Sequence, residues 1–286
     1  MKSILVTGPN SSLGKELIPL LMNTKYRVFG LINNELSNNI SNNYHEINKK
    51  DFFNEIDYII KKIDIVLHLA TTYSENYLSL YESNIEIPRC ICEAIIKNKL
   101  TQKIVFLNAD TFYLYEKYIP RRHKEYVKSK KIAVTILRNN QIRFGLQYIN
   151  IILAHVFGKF DKPGKFIHYI ITKARVGDDI IIYNPNAMIE FTYASDVAFA
   201  IFNILSNMPL NLNRNISIVN PNNKLMIINF VSEILAIIQS NSEVKVLSHN
   251  DNIYNKEYIK IDDIIIYKLQ KVTSLQTAIN QITYAK

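Results

Sequence analysis

Glycine is scarce in this sequence: there are 7 in 286 residues, where ordinary usage gives about 20. Each one therefore invites a reason. They stand at Gly8, Gly14, Gly30, Gly145, Gly158, Gly164 and Gly177, two of them inside the first fourteen residues. Cysteine is scarcer still. Cys90 and Cys92 exclude a disulfide framework and a four-cysteine zinc site, and fit a reducing, cytoplasmic setting. No stretch approaches ~18 uninterrupted apolar residues, so no membrane span is expected. Residues 1–7 (MKSILVT) carry neither an apolar signal core nor a small-residue cleavage site, and a soluble protein is expected. At 48% hydrophobic the chain is neither disordered nor a stapled mini-protein; it can fill one large domain or two small ones.

The formal charge of +9 raises nucleic-acid binding as a reading, because clustered Lys and Arg release counterions from phosphates. The basic residues instead lie in short scattered groups such as Lys49-Lys50, Lys61-Lys62 and Arg121-Arg122-His123-Lys124, with acids between most of them. A solvated basic surface accounts for that spread, and attraction of a small polyanion such as a nucleotide is the functional alternative. No nucleic-acid partner and no metal site are expected.

The first half alternates strand-like and helix-like segments, the pattern of a parallel sheet covered on both faces. Ser3–Thr7 is a short apolar run stopping at Gly8, and Lys15–Met22 carries apolar residues at helical spacing. Strands are predicted at Tyr26–Ile32, Tyr44–Ile47, Asp64–Ala70, Lys103–Leu107 and Ile149–Val156, with helices over Tyr77–Asn98 and Tyr126–Leu137. A polar loop spans residues 33–43. After the Pro- and Gly-bearing loop Lys159–Lys165, a helix over Phe166–Arg175, a returning strand near residues 215–220 and a helix over Phe230–Ile238 are predicted. The expected fold is α/β: a Rossmann-type doubly wound parallel sheet over residues 1–158, with residues 159–286 mainly a smaller, interleaved α/β lobe that binds substrate.

Two motifs carry chemistry. Thr7–Gly14 reads T-G-P-N-S-S-L-G between a strand and a helix; glycine there lets the backbone turn tightly and lets a pyrophosphate reach the helix N-terminus. Two glycines in such a turn also occur for structural reasons alone. Tyr126-Val127-Lys128-Ser129-Lys130 gives Y-x-x-S-K on a predicted helix. Four residues is just over one turn, so Tyr126 and Lys130 share a face. A neighbouring ammonium favours a phenolate, bringing a phenol of pKa about 10 into range for proton transfer near neutrality. An ordinary basic helix with one tyrosine is the plain alternative.

In order and spacing these motifs resemble the extended short-chain dehydrogenase/reductase family, the NAD-dependent epimerases and dehydratases. Further along, Leu67-His68-Leu69-Ala70, Asn108-Ala109-Asp110-Thr111-Phe112, Asn150–Gly158, Pro163–Ile167, Glu190–Val197 and Thr273–Ile282 also resemble family segments. Within the family, the Asn-x-Asp-Thr-Phe wording and the strand A-H-V-F-G are most similar to the CDP-abequose and CDP-paratose synthases, reductases that finish CDP-linked dideoxysugars.

The resemblance implies a cytoplasmic NAD(P)-dependent reductase or epimerase of a nucleotide-linked sugar, CDP-linked by the softer match, working in deoxysugar or surface-polysaccharide biosynthesis. Hydride would pass to a sugar carbonyl, at position 4, while Tyr126 protonates its oxygen and Lys130 lowers the tyrosine pKa. Asp110 and Thr111 would orient the sugar. Gly8, Asn10, Ser11, Ser12, Leu13, Gly14, Asn33, Leu69, Ala70, Asn108 and His155, with Tyr126 and Lys130, would surround NADP or NAD, NADPH being the commoner reductant of such enzymes. His68 would be a positioning residue, and the chain would pair as a homodimer through its two long helices.

Four positions depart from the family pattern. Ser11 stands where the middle glycine of the turn belongs. Ala109 replaces a Ser or Thr whose hydroxyl binds the substrate oxygen, a loss of about 10²–10³ in rate that Asp110 or Thr111 would have to offset. Ile189 replaces an arginine that pairs with the nucleotide pyrophosphate, leaving Arg143, Arg175, Lys159 or Lys165 to supply the charge. Asn33-Asn34 offers neither an acid for a ribose 2′-hydroxyl nor a base for a 2′-phosphate. Ser11, Ala109 and Ile189 carry the alternative reading: a catalytically impaired dinucleotide-binding sensor or partner subunit.

Overall fold

The computed structural model describes residues 1–24, 26–33, 43–73, 76–209, 214–221, 224–247, 252–256, 258–260 and 264–284. Asn34 and most of the polar loop after it lie outside the described residues. The main sheet has eight strands: β1 (Lys2–Thr7), β2 (Tyr26–Ile32), β3 (Tyr44–Asn48), β4 (Ile65–His68), β5 (Val105–Thr111), β6 (Gln147–Leu153), β7 (Asn215–Val219) and β8 (Ile264–Lys268). Every pairing within it is parallel, in the order β8-β7-β6-β5-β4-β1-β2-β3. The order reverses between β1 and β4, which opens a crevice at the strands' carboxyl ends where doubly wound sheets hold ligands.

The helices used below are α1 (Ser12–Met22), α2 (Ile87–Lys97), α3 (Lys124–Phe144), α4 (Phe166–Val176), α5 (Ala194–Asn207), α6 (Ile227–Ile238) and α7 (Leu275–Thr283). Side chains alternate across a strand, so β1 feeds two cores. Ile4 and Val6 pack with Leu17 and Leu21 of α1 and Ile201 and Ile204 of α5. Leu5 packs on the other face with Val66, Phe106, Ile91 and Ile95 of α2, and Leu137 of α3. Continuous apolar strands such as β4 are what burial on both faces demands.

A third core gathers Phe157, Ile170, Phe191, Phe230, Ile234 and Ile279 from α4, α6, α7 and the short strands around them. Those strands form a three-stranded sheet (His155–Phe157, Met188–Tyr193, Lys224–Met226) and a parallel pair (Ile180–Tyr183 with Val244–Leu247). The later chain does not stay in this region, because α5 covers α1 and β7 and β8 extend the main sheet.

Three local differences from the sequence reading bear on the site. The strand expected over Ile149–Val156 breaks at Ala154: β6 stays in the main sheet, while His155–Phe157 pairs with Phe191–Tyr193. β5 runs on to Thr111, beyond the expected Leu107. The helix expected over Tyr77–Asn98 contains a π-turn at Glu82–Glu86, where the Ile87 N–H reaches the Glu82 carbonyl. Pro88 follows it and has no N–H to return to the Asn84 carbonyl one α-turn back, so the wide turn forms where the regular ladder is already broken.

Candidate active site

The Thr7–Gly14 turn leaves the end of β1 at the switch point. Gly8 has φ +73°, and a Cβ there would lie 2.8 Å from the Ala70 backbone; at Gly14 it would lie 2.4 Å from the Pro9 carbonyl oxygen. Both are close approaches that no side chain fits. Ser11 is the N-cap of α1, its hydroxyl accepting from the Gly14 N–H at 3.0 Å. The first N–H groups of a helix have no intrahelical acceptor, so Ser12 and Leu13 present theirs at the mouth of the turn, with Asn10 exposed at its tip. Ser12 Oγ and Asn108 Oδ1 are buried without a partner. A tight glycine turn, an anion-favouring helix end and unpartnered polar atoms fit the diphosphate of a dinucleotide.

From the neighbouring strand, the Leu69 N–H donates to the Thr7 carbonyl at 3.1 Å and the Ala70 N–H to Thr7 Oγ1 at 3.2 Å. Thr7 Oγ1 also meets His68 Nδ1 at 2.7 Å. Burial, with a smaller contribution from Lys130, holds the His68 imidazole well below its ordinary range, so His68 is a neutral strut between β1 and β4.

Tyr126 and Lys130 lie on α3, one turn apart and 4% and 2% exposed. Lys130 Nζ donates to the Ala109 carbonyl at 3.0 Å. Burial pulls this ammonium down to about 8 against the opposing charge of Asp110. The phenol moves the other way: burial, then Tyr73, raises it well above its ordinary value. The expected lowering of the Tyr126 pKa by Lys130 is therefore corrected. Desolvation of a fully enclosed phenol outweighs a cation whose bond goes to main chain, and the Tyr126 phenol is held in its neutral form.

The β5 residues divide between the two faces of the strand. Asp110 turns inward, Oδ1 accepting from the Thr111 N–H at 2.8 Å and Oδ2 from Tyr115 at 2.9 Å and Asn150 Nδ2 at 3.0 Å. Asn150 Oδ1 accepts from Tyr148 at 2.8 Å and from Asn108 Nδ2 at 3.0 Å. Both carboxyl oxygens are thus used within the protein, and burial raises this carboxyl. Thr111 Oγ1 accepts from the Tyr113 N–H at 3.4 Å. Neither residue supplies Tyr126 with the hydroxyl that Ala109 lacks. Thr71, after β4, stands beside the Tyr126 phenol, and its hydroxyl donates to Asn84 Oδ1 at 3.2 Å.

Asn84 sits in the π-turn with no exposed surface. Its amide donates to Ser129 Oγ at 2.9 Å and to the Thr72 carbonyl at 3.3 Å, and its oxygen accepts from the Thr72 N–H at 3.1 Å. Ser129 in turn donates to the Tyr126 carbonyl at 2.7 Å. One amide therefore ties the segment after β4 to the helix carrying Tyr126. Above it lies an aromatic wall. The Tyr73 and Tyr126 rings are 4.2 Å apart, His123 stands 5.1 Å from Tyr113, and Tyr113 OH meets His155 Nε2 at 2.8 Å. His155 lies between Phe112 and Phe191. Burial brings His123 and His155 each down to about 4, so both are neutral near pH 7.

Of the four cations considered for the missing arginine, two are elsewhere. Arg143 ends α3 next to Gly145, which packs against Gln102 before β5, at the opposite end of the sheet; Arg175 reaches the Thr283 carbonyl at 3.4 Å. Lys159 stands near α1, 3.5 Å from Glu16, and Lys165 pairs with Asp161 at 2.6 Å. Asn33 is exposed beyond β2. Among the described residues no group of three or more His, Cys, Asp or Glu is placed to hold a metal ion, and no helix is long and apolar enough to cross a membrane.

Residues 4–217 match the model of the NAD dependent epimerase/dehydratase family. CDP-abequose synthase of Salmonella muenchen is 29% identical over 212 residues, covering 71% of this chain and 70% of that protein. Among solved structures, UDP-glucuronic acid 4-epimerase from Bacillus cereus, in complex with UDP-glucuronic acid and NAD, superposes with a TM-score of 0.79 at 17% identity, covering 99% of this chain and all of that one. dTDP-glucose 4,6-dehydratase from Bacillus anthracis, in complex with NAD, gives 0.76 at 14% identity, covering 100% and 96%.

Proposed function

Since the chain belongs to the NAD dependent epimerase/dehydratase family, we propose that it reduces a nucleotide-linked 4-keto sugar with a nicotinamide dinucleotide as hydride source. The observation that carries the reductive direction is the neutral, buried phenol of Tyr126. Reduction of a carbonyl consumes a proton at oxygen, and a phenol held in its protonated form is the donor that step requires. Oxidation of a sugar hydroxyl, the first act of an epimerase, would call for the phenolate.

The dinucleotide, when bound, supplies hydride to the carbonyl carbon. Gly8, Ser12, Leu13 and Gly14 would hold its diphosphate against α1, and Lys130 and Asn108 would face its sugar end. Tyr126 gives its proton to the carbonyl oxygen, with Thr71 in the place of the missing Ala109 hydroxyl. Asp110 acts as a positioning residue, stiffening β5 through Asn150 and Tyr115. NAD-bound relatives support NAD(H); NADPH is the reductant implied by likeness to other reductases, and Asn33 presents no charge for or against it. The similarity to CDP-abequose synthase supports a CDP-linked substrate. Lys159 and Lys165 would meet its diphosphate. A cytoplasmic homodimer is the expected form.

The test mixes the protein with a CDP-linked 4-keto-6-deoxyhexose and either NADPH or NADH, following the near-ultraviolet absorbance of the reduced nicotinamide. Turnover is expected, falling by about 10²–10⁴ in Tyr126→Phe. Absence of turnover with CDP-, UDP- and dTDP-linked 4-keto sugars, while the dinucleotide still binds, would instead favour a non-catalytic dinucleotide sensor.

A further inference from the structure

We propose that Tyr73 returns the proton to Tyr126 after each reduction, linking the enclosed phenol to solvent. The inference rests on the reading of Tyr126 as proton donor. Each turnover leaves Tyr126 as a phenolate, and a buried charge without a partner is costly. Tyr126 itself is 4% exposed, whereas Tyr73 is 54% exposed. The two phenol oxygens are 3.4 Å apart and the rings pack at 4.2 Å with a 33° tilt. Tyr73 thus bonds the reacting group through its hydroxyl and is itself open to solvent.

The other neighbours do not fill this role. Asn84 spends its amide on Ser129 and Thr72, Lys130 bonds the Ala109 carbonyl and at 2% exposure has no path of its own to water, and both Asp110 oxygens are engaged. Thr71 touches Tyr126, but an aliphatic hydroxyl cannot hold the negative charge near neutrality. A second phenol can take it in passing, because a phenol is far more acidic than an aliphatic hydroxyl and burial makes the Tyr126 phenolate a strong base. The O–H bond of Tyr73 breaks as that of Tyr126 forms, and the Tyr73 phenolate then takes a proton from water or a buffer acid. The charged and titratable groups around the pair are Asp110 and Lys130 beneath Tyr126, and His123, Arg122 and Tyr113 beside Tyr73.

The test uses Tyr73→Phe, which keeps the ring packing, beside Tyr126→Phe and Tyr73→His. The expected result for Tyr73→Phe is a kcat at least about 10-fold lower with KM little changed, a larger solvent isotope effect, and recovery with added imidazole or phosphate or with Tyr73→His. The relay is overturned, and the proton-donor reading left standing, if Tyr73→Phe keeps full kcat while Tyr126→Phe is inactive. It is also overturned if a lower kcat responds to neither buffer nor isotope. An active Tyr126→Phe overturns both.

Discussion

Lys130 Nζ and the Ala109 carbonyl oxygen are joined at 3.0 Å, a bond from the middle of α3 to the main chain of β5. It turns the lysine away from acting on the Tyr126 phenol and makes it a clamp that fixes helix to sheet. The clamp sits in a nearly dry environment, which is why the ammonium is pulled down to about 8.

That depression sets the sign of a stability effect. Between about pH 8 and about 10.5 the unfolded chain binds a proton that the folded chain does not, so stability rises with pH across that window. Below it the folded state carries a cost on the order of 3 kcal/mol from this group. Lys130→Met removes the cost and also the bond to Ala109, so a net gain of about 1–2 kcal/mol is expected near pH 7. Urea unfolding should show the gain vanishing at about pH 9 and turning into a loss above it, while the turnover proposed above is lost at every pH.

Ser11 separates stability from cofactor affinity. Its hydroxyl occupies the Gly14 N–H. Ser11→Gly frees that donor and should cost only a few tenths of a kcal/mol in stability while tightening the dinucleotide. Ser11→Ala should cost about 1 kcal/mol and gain less. Thermal melts with and without dinucleotide measure both effects.

Asn84 is fully buried with every polar atom used. Asn84→Ala leaves Ser129, Thr71 and the Thr72 backbone short of partners, so a loss of about 2–4 kcal/mol is expected. If the bridge also positions α3, kcat should fall more than KM rises; unchanged kinetics alongside a lowered Tm would confine Asn84 to stability.

His155 is neutral in the fold, its imidazole brought down to about 4 by burial, with His123 and Arg122 adding to the shift and Glu190 opposing it. As pH falls below about 6.5 the unfolded chain takes up a proton that the folded chain refuses, and stability declines until about pH 4. His155→Phe keeps the packing on Phe112 and Phe191 but leaves the Tyr113 hydroxyl unpaired, costing about 1–3 kcal/mol near neutrality. Urea midpoints across this range should fall less steeply with acid than in wild type, the residual slope reflecting His68 and His123.

The parts of the site legible in the sequence are those written in local spacing. The Gly8–Gly14 turn follows from an apolar run, two glycines and a helix start; the Tyr126–Lys130 pair follows from a four-residue interval. Asn84, Thr71 and Tyr73 carry no such signal, because their meaning lies in contacts up to 53 residues away in the chain. The direction of the Tyr126 shift was equally hidden, since spacing reveals a nearby cation but not how dry the site is or where the cation's bond goes. Asp110 stands in the expected segment, yet only the fold shows its carboxylate claimed by Asn150 and Tyr115.

Ala154 is the single residue between β6 and the strand His155–Phe157. The main sheet therefore hands its chain to the smaller one without a linker, and any rocking of one sheet against the other must bend hydrogen-bonded backbone at that step. At this crossing the two walls behave as one splinted piece.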